Sequence, residues 1–309
     1  MSEMTAIRFH EYGPPEVLRV ESVERPQPGA GELLVCVRAA GVNPIDWKIR
    51  AGYLQQFMPL DLPYVPGIDL AGTVEEVGDE VDGFAAGDEV FGRGSGTYAE
   101  LAVAPAVSLA RKPAGVGFEE AATLGVGGVT AWVGLFDIAR LEPGQRVLVH
   151  GGAGGVGSLA VQLARWKGAH VIATAGAANA EHVRALGAEE VIDYSATRFE
   201  DAVHGVDVVF DTVGGEVTDR SWAALARGGI LVVIASMPDA ETAASHGVRT
   251  SGVQAPQATS HILEKLGGLV ESGEVKPQVG QVFPLAEAAA AHAASQTGHG
   301  RGRIVLRPS

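Results

Sequence analysis

Short apolar runs separated by turn residues make up the first third of the chain, and they predict β structure. The segments between them are rich in glycine and proline, as in Gly13-Pro14-Pro15 and Pro26-Gln27-Pro28-Gly29, residues that favour turns. The predicted strands are Thr5 to Phe9, Val17 to Val20, Leu33 to Ala40, Ala71 to Val77 and Glu89 to Phe91. We therefore expect a β domain at the start of the chain.

From about Phe118 the pattern changes, because apolar runs now alternate with helical stretches of about ten residues. Parallel strands need crossover connections of this kind, so the pattern predicts βαβ units and a buried, doubly wound parallel sheet. The predicted strands are Val147 to His150, Val171 to Ala175, Val191 to Tyr194, Val206 to Val213 and Ile230 to Ala235. The fold class is accordingly α/β with a second, β-rich domain.

The last fifty residues do not continue this alternation. They predict a helix from about Ser260 to Ser272, a short strand at Val282-Phe283, an alanine-rich helix from Leu285 to Ser295 and a final strand from Arg303 to Leu306. We expect this tail to return to the first domain.

A glycine-rich segment follows the first strand of the second region and opens a helix. In it Gly152, Gly154 and Gly157 satisfy the pattern Gly-x-Gly-x-x-Gly. Such glycines allow a sharp turn, a close approach of the main chain to a pyrophosphate and close packing of helix on sheet. The N–H groups of the helix N-terminus then face the phosphate charge. Because a strand precedes the pattern and a helix follows it, we favour a Rossmann-type dinucleotide site over a purely structural turn.

The end of the next strand bears on which dinucleotide is bound. An NAD site usually has an acidic residue about 20 residues after the glycines, but His170 to Gly176 contains none. The segment favours NADP(H), with Thr174 as a hydroxyl donor and His182 and Arg184 as charge partners. The alternative is that Thr174 only ends a strand and the pocket has little preference.

Composition and charge exclude several kinds of partner. Lys and Arg total 23 against 37 Asp and Glu, a net charge of −14, which disfavours nucleic acid and anionic membrane surfaces. The segment Met1 to Tyr12 has no basic-then-apolar signal region, and no stretch is apolar enough to span a bilayer. The single cysteine, Cys36, permits neither an intramolecular disulfide nor a thiolate zinc cluster. We expect a soluble cytoplasmic protein.

Further motifs accompany the glycine-rich turn along essentially the whole chain. They are Ala40-Gly41-Val42-Asn43-Pro44-Ile45-Asp46, Pro66-Gly67-Ile68-Asp69-Leu70-Ala71-Gly72-Thr73-Val74, Gly87-Asp88-Glu89-Val90, Gly128-Val129-Thr130-Ala131, Val191-Ile192-Asp193-Tyr194 and Phe210-Asp211-Thr212-Val213-Gly214. Together they resemble the medium-chain dehydrogenase/reductase superfamily, in its zinc-independent quinone oxidoreductase or zeta-crystallin-like branch. The resemblance implies a GroES-like domain (residues 1–124 and 258–309), a Rossmann domain (125–257) of strand order 3-2-1-4-5-6 and a homodimer, formed through strand extension near Gly247 to Gln254.

Zinc-dependent relatives place a cysteine after the Ala-Gly segment and a Gly-His-Glu in the next block, where this chain has Asn43-Pro44 and Gly67-Ile68-Asp69. Zinc needs three or four converging Cys, His or carboxylate ligands. We therefore expect no zinc, with Cys36 a small core residue.

The resemblance also implies a set of site residues. It assigns a catalytic role to Tyr53; the alternative is an aromatic side chain that only packs on the domain surface. It also assigns a catalytic role to Asn43, with a second contact to the nicotinamide ribose; the alternative is an Asn that only shapes a turn. We expect Asp46 to cap a short helix as its N-cap residue and Asp69 to make a structural hydrogen bond. Arg301 or Arg303 could reach the pyrophosphate or be surface groups. The implied cofactor-binding residues are Asn43, Thr130, Gly152, Ala153, Gly154, Gly155, Val156, Thr174, Tyr194, Thr212, Val213, Ala235, Ser236 and Met237.

The expected reaction is hydride transfer from NADPH to a quinone or an activated α,β-unsaturated carbonyl compound, with protein hydrogen bonds to the developing oxyanion. The NADPH preference has one departure from the family pattern: related quinone reductases often have a lysine just after the glycine matching Gly176, where this chain has Ala177-Ala178. Two alternatives stay open, an enoyl-thioester reductase and a non-enzymatic, crystallin-like NADPH-binding protein.

Overall fold

The computed structural model describes residues 3–254 and 256–308, which form two compact units. The first contains residues 3–126, Pro256–Ser272 and 277–308, and the second contains residues 127–254 and Gly273–Lys276. The boundaries expected from the sequence were 124/125 and 257/258. The short segment Gly273–Lys276 joins the second unit because the Gln162 carboxamide bonds the Lys276 backbone, donating to its carbonyl at 3.1 Å and accepting its N–H at 2.8 Å.

The first unit is built around a seven-stranded sheet. A separate antiparallel pair is formed by β1 and β2, while the large sheet has the order β14-β15-β3-β4-β5-β7, with β6 paired to β3. Its strands are β1 (Glu3–Arg8), β2 (Arg19–Glu24), β3 (Glu32–Val42), β4 (Asp69–Val77), β5 (Glu89–Arg93), β6 (Leu101–Pro105), β7 (Leu109–Arg111), β14 (Val279–Pro284) and β15 (Arg303–Arg307). Its helices are α1 (Pro44–Arg50), α2 (Phe118–Ala121), α9 (Ser260–Glu271) and α10 (Ala288–Gln296).

The tail returns to the first unit, as the sequence indicates. Strand β15 pairs antiparallel with β3, with Ile304 opposite Val42 and Leu306 opposite Ala40. Leu306 and Leu285 pack in the same buried core as the strands of the N-terminal region. The C-terminal residues are therefore an integral part of this unit.

Two local expectations in this unit were wrong. Pro15–Val17 form a 3-10 turn, and β2 begins at Arg19, because Pro15 opens the turn and delays the strand. Cys36 is only half-buried, whereas Val35 and Val37 are at most 2% exposed. Side chains alternate across a strand, so Cys36 faces away from the core and lines a surface depression of about 540 Å³.

The second unit is a doubly wound parallel sheet of order β10-β9-β8-β11-β12-β13, which confirms the expected order 3-2-1-4-5-6. Its strands are β8 (Arg146–His150), β9 (His170–Ala175), β10 (Glu190–Asp193), β11 (Val206–Asp211), β12 (Leu225–Val233) and β13 (Arg249–Gly252). Its helices are α3 (Gly127–Trp132), which continues as a π-helical turn over Val133–Ile138, α4 (Gly157–Trp166), α5 (Ala180–Ala185), α6 (Phe199–Ala202), α7 (Glu216–Ser221) and α8 (Ala240–Ser245).

The edge strand β13 lies within the segment for which strand extension is expected; the dimer itself stays a prediction. Among the described residues, no helix has the length and apolar character needed to cross a bilayer.

Candidate cofactor and substrate site

The glycine-rich turn connects the carboxyl end of β8 to the start of α4. Gly151 has φ +69°, a left-handed conformation that glycine adopts without strain. The Gly152 N–H donates to the Thr174 carbonyl at 2.9 Å, and the Gly154 N–H donates to the Gly151 carbonyl at 2.9 Å. A Cβ on Gly157 would lie 2.1 Å from the Gly151 carbonyl oxygen. The turn therefore folds back on itself so tightly that only glycine fits at its end.

The start of α4 has the character of an anion-binding site. The N–H groups of Val156 and Gly157 donate to no backbone carbonyl in the described part of the chain. The α4 residues have no acidic side chain in their first turn. Free N–H groups and the positive end of the helix dipole favour a phosphate here. The pyrophosphate contacts expected of Gly152, Ala153, Gly154, Gly155 and Val156 stay predictions.

Thr174 supports the glycine-rich turn. The residue is 3% exposed, its hydroxyl oxygen accepts the Gly151 N–H at 3.2 Å, and the same oxygen lies 3.2 Å from Nδ1 of His150. Thr174 therefore helps to fix the glycine-rich turn, and its expected contact with a ribose phosphate stays a prediction.

His150, the last residue of β8, is a buried histidine that contacts β9, α6 and α7 beneath the glycine-rich turn. Its Nε2 lies 3.0 Å from the Ser221 hydroxyl, and its ring makes an edge contact with Phe199 at 4.4 Å. Burial is the main reason that its pKa falls from 6.5 to about 4, while the Asp211 charge opposes this shift. His150 is therefore neutral at pH 7 and serves as a structural hydrogen-bonding group.

Acid is expected to weaken the second unit through His150. A folded pKa below the unfolded value means that stability is complete above about pH 6.5 and is lost as the pH falls toward 4. We expect a loss of about 2 kcal/mol between pH 7 and pH 4.5. Replacement by glutamine, which bonds a hydroxyl but does not titrate, should make the loss smaller. Hydrogen exchange of the β8 and β11 amides at pH 7 and pH 4.5 measures this loss of stability. Equal acid sensitivity of wild type and His150→Gln would contradict the structural role of His150.

The end of β11 forms the next part of the site. The buried Asp211 carboxylate accepts the N–H groups of Val213 at 2.8 Å and Gly214 at 3.0 Å, and also the Thr218 hydroxyl. The Thr212 hydroxyl donates to the His150 carbonyl at 2.7 Å. This shapes the loop and leaves the Val213 side chain 52% exposed, as expected for a residue that contacts a ligand.

The remaining expected cofactor residues of this unit are accessible. Tyr194 is 55% exposed, and its hydroxyl lies beside Gly176, where an added Cβ would be 3.3 Å away. Ala235 and Ser236 follow β12 together with Met237, which is 76% exposed. Thr130 is half-buried on α3. Their contacts with a cofactor stay predictions.

In the first unit, Asn43 and Asp46 form the capping box of α1. Asn43 is the N-cap, Pro44 is the first helical residue and the Asp46 carboxylate accepts the Asn43 N–H at 2.8 Å. The expectation that Asp46 is the N-cap was therefore wrong by three positions, because Pro44 fits the first helical turn and moves the start of the helix. Gly52, with φ +83°, follows the helix end as expected.

Asn43 is 1% exposed and is held by three polar contacts. Its side-chain amide donates to the Asp69 carboxylate at 3.0 Å and to the Gly41 carbonyl at 3.5 Å, and its oxygen accepts a hydrogen bond from the Arg303 guanidinium. These contacts fix the orientation of the Asn43 side chain, and the catalytic and cofactor contacts expected of Asn43 stay predictions. Asp69 also accepts the Val126 N–H, so it makes the structural hydrogen bonds expected of it.

Sequence reasoning missed the other members of this cluster. The Tyr98 hydroxyl donates to Asp46 at 3.0 Å and lies 3.3 Å from Nε2 of His292. Both rings are completely buried. His292 was visible in the sequence only as an interruption of an alanine-rich helix, and Tyr98 carried no signal.

Burial raises the pKa of both carboxyl groups in this cluster. The pKa of Asp46 rises to about 7 and that of Asp69 to about 6, in each case mainly through desolvation, while Arg303 lowers both. His292 is shifted the other way, to a pKa of about 3, again chiefly by burial. Arg303 is thus the cation that limits the cost of keeping two carboxylates inside the domain.

The side chains of this cluster are a poor donor set for zinc, and the expected absence of zinc stays a prediction. Asn43 and Ile68 occupy positions where zinc-dependent relatives have ligands, and the oxygen of Asn43 already accepts from the Arg303 guanidinium. Within residues 3–254 and 256–308, no three His, Cys, Asp or Glu side chains are grouped as metal ligands. Arg303 is 4% exposed. Of the two alternatives that the sequence allows for Arg303, a position on the surface is therefore excluded.

Tyr53 lies in the exposed segment that follows α1. It is 67% exposed and makes an edge contact with Trp47, with ring centroids 5.9 Å apart. Phe57 and Met58 in the same segment are 86% and 41% exposed. This segment offers aromatic and apolar side chains to a flat ligand.

Comparison with known proteins identifies the family of the chain. Residues 29–114 match the family model described as "Alcohol dehydrogenase GroES-like domain", and residues 186–306 match the one described as "Zinc-binding dehydrogenase". The chain is 36% identical to the mouse quinone oxidoreductase, over 98% of this chain and 97% of that protein. It is 35% identical to the Arabidopsis thaliana chloroplastic NADPH-dependent alkenal/one oxidoreductase, over 99% and 80% of the two chains.

Among solved structures, a mycobacterial protein in complex with NADPH superposes with a TM-score of 0.90 at 35% identity, covering 99% of this chain and 100% of that one. Sequence motifs, strand order and overall similarity therefore agree. The chain belongs to the medium-chain dehydrogenase/reductase superfamily, in its zeta-crystallin-like quinone oxidoreductase branch.

Proposed function

We propose that the protein is an NADPH-dependent oxidoreductase that reduces quinones or activated α,β-unsaturated carbonyl compounds. The observation that carries the proposal is the glycine-rich turn, whose free N–H groups open α4 at the carboxyl end of β8. Relatives that share a third of their residues with this chain are named quinone and alkenal/one oxidoreductases. These two lines of support are independent, since one is local geometry and the other is overall similarity.

Bound NADPH supplies the hydride, and the protein supplies binding and orientation. The N–H groups of Val156 and Gly157 hold the pyrophosphate, and Gly157 keeps the helix close enough for them to do so. Thr174 and His150 support the turn from below. Val213 and Met237 provide exposed apolar surface for the cofactor rings.

NADPH is the proposed donor because the end of β9 carries no acidic residue and the Tyr194 hydroxyl lies beside Gly176. A hydroxyl can donate a hydrogen bond to a ribose 2′-phosphate, whereas a carboxylate on β9 would repel it. The acceptor class follows from the first unit. Where zinc-dependent relatives place metal ligands this chain has the Asn43–Arg303 contact, so an acceptor that needs only modest polarisation is favoured.

Tyr53 is the proposed group that donates a proton or a hydrogen bond to the reduced acceptor. General-acid groups contribute about 100-fold or more to a rate. We therefore expect Tyr53→Phe to lower kcat/KM for enones by about 10- to 100-fold while the Kd for NADPH stays within about twofold. Stopped-flow measurement of hydride transfer tests this. An unchanged rate in Tyr53→Phe would leave Tyr53 only an apolar contact role.

Oxidation of NADPH with a panel of quinones, enones and enoyl thioesters tests the proposed function as a whole. Turnover of quinones or enones is the expected result. Exclusive turnover of enoyl thioesters would favour the thioester-reductase alternative. Tight NADPH binding without turnover of any acceptor would contradict the enzymatic proposal and favour a crystallin-like binding protein.

A further inference from the structure

A carboxylate lies next to the end of β9 although β9 itself has none. Asp193 is the last residue of the neighbouring strand β10 and is paired with Ala175 of β9. The N–H of Ala177, the second residue after β9, contributes to lowering the pKa of this carboxyl group. Asp193 therefore lies beside the segment where dinucleotide-binding folds read the ribose. Its position on the third strand explains why the usual spacing from the glycines does not reveal it.

Neighbouring contacts hold this carboxylate in its ionised form. Its Oδ1 accepts the Ser195 N–H at 3.0 Å and the Ser195 hydroxyl at 2.7 Å. These two bonds from Ser195 are the main reason that the pKa of Asp193 lies below its ordinary value. Arg198, further along the same loop, pairs instead with Glu200 at 2.7 Å. The negative charge at the end of β10 thus persists at neutral pH.

Tyr194 completes the edge of this surface. Its N–H donates to the Ala175 carbonyl at 3.4 Å, and its hydroxyl lies beside Gly176. The three consecutive residues Asp193, Tyr194 and Ser195 therefore place one carboxylate and two hydroxyls around the end of β9. A carboxylate accepts hydrogen bonds from ribose hydroxyls but repels a phosphate, whereas the Tyr194 hydroxyl suits both.

We propose that Asp193 is a specificity-determining residue for the cofactor, and that its charge opposes the 2′-phosphate and keeps the preference for NADPH over NADH small. The inference rests on the proposed function, because selection between NADPH and NADH matters only if the protein uses a nicotinamide cofactor. Tyr194 attracts the 2′-phosphate and Asp193 repels it, so the wild-type chain binds both cofactors. Removal of the charge at position 193 shifts the balance toward NADPH.

Calorimetric titration with adenosine 2′,5′-bisphosphate and with AMP isolates this effect, because the two probes differ only in the 2′-phosphate and neither needs turnover. We expect Asp193→Asn, which keeps the hydrogen-bond-accepting oxygen, to tighten binding of the 2′,5′-bisphosphate by about 5- to 20-fold at low salt. AMP binding should change less than twofold. The gain should shrink at 0.5 M salt, because exposed charges are screened.

A control variant separates the local charge of Asp193 from the net charge of the chain. Asp219→Asn removes one negative charge from an exposed position on α7 and should leave the ratio of the two affinities as in wild type. The ratio of kcat/KM for NADPH and NADH provides a second readout of Asp193→Asn.

The outcomes distinguish this inference from the proposed function. Equal changes for both probes in Asp193→Asn, or no change, would overturn the role of Asp193 even if quinones are reduced. A selective gain for the 2′,5′-bisphosphate would support it even if no acceptor is turned over. Failure of the wild-type chain to bind either probe would overturn both proposals.

Discussion

Replacement of Gly157 by alanine is expected to weaken NADPH binding by at least about 100-fold. The added Cβ would lie 2.1 Å from the Gly151 carbonyl oxygen, 2.8 Å from its carbon and 3.1 Å from the Gly152 Cα. All three atoms belong to the backbone, so no side-chain rotation relieves the clash. The turn must move away from α4, and the N–H groups that face the phosphate lose their common direction. Fluorescence titration with NADPH measures the loss.

A matched control comes from another helical glycine. Gly268 lies in α9, and a Cβ there would meet nothing within 4 Å. Gly268→Ala should therefore bind NADPH as wild type does and gain up to about 1 kcal/mol of stability from helix propensity. Wild-type affinity in Gly157→Ala would show that the turn does not set the cofactor geometry.

Replacement of Arg303 by methionine is expected to destabilise the first unit by about 3–5 kcal/mol. The change removes a buried cation, so that Asp69 loses a favourable charge and the Asn43 oxygen loses its hydrogen-bond donor. The exposed Arg307 on the same strand pairs with Glu119 at the surface, so Arg307→Met should cost less than about 1 kcal/mol. Hydrogen exchange of β3 and β4 measures both effects.

The cost of losing Arg303 should depend on pH in a defined direction. Both carboxyl groups have folded pKa values above their ordinary value of 3.8, so the folded state is favoured when they are protonated and loses stability as the pH rises through about 6 and 7. Arg303 lowers both pKa values, so its loss raises them further. The deficit of Arg303→Met should be larger at pH 8 than at pH 5, and the additional change Asp69→Asn should recover part of it. A deficit independent of pH would contradict this electrostatic role.

The parts of the fold that depend on local pattern could be predicted from the sequence. The apolar strands and the glycine-rich turn are contiguous stretches, and the motifs that resemble the superfamily fixed the order of the parallel sheet. Local pattern failed where one residue shifted an element, as Pro44 moves the start of α1 and makes Asn43 the N-cap.

The buried cluster of the first unit could not be predicted, because its members come from distant parts of the chain. Asn43 meets Arg303 across 260 positions, and Tyr98 meets His292 across 194. No spacing rule relates such residues. The direction of a side chain was equally inaccessible: Cys36 was correctly placed on a strand, but its side chain faces away from the core.

The return of β15 to β3 has a consequence for how the chain folds during synthesis. A ribosome releases β3, β4 and their buried Asp69 long before it releases Arg303, and the complete parallel sheet of the second unit emerges in between. The second unit can therefore fold first as a cooperative domain, whereas the first unit waits for its last strand and for the cation that neutralises its interior. Synthesis without β15 should yield a folded inserted domain flanked by an incomplete, aggregation-prone sheet with the β3 edge exposed.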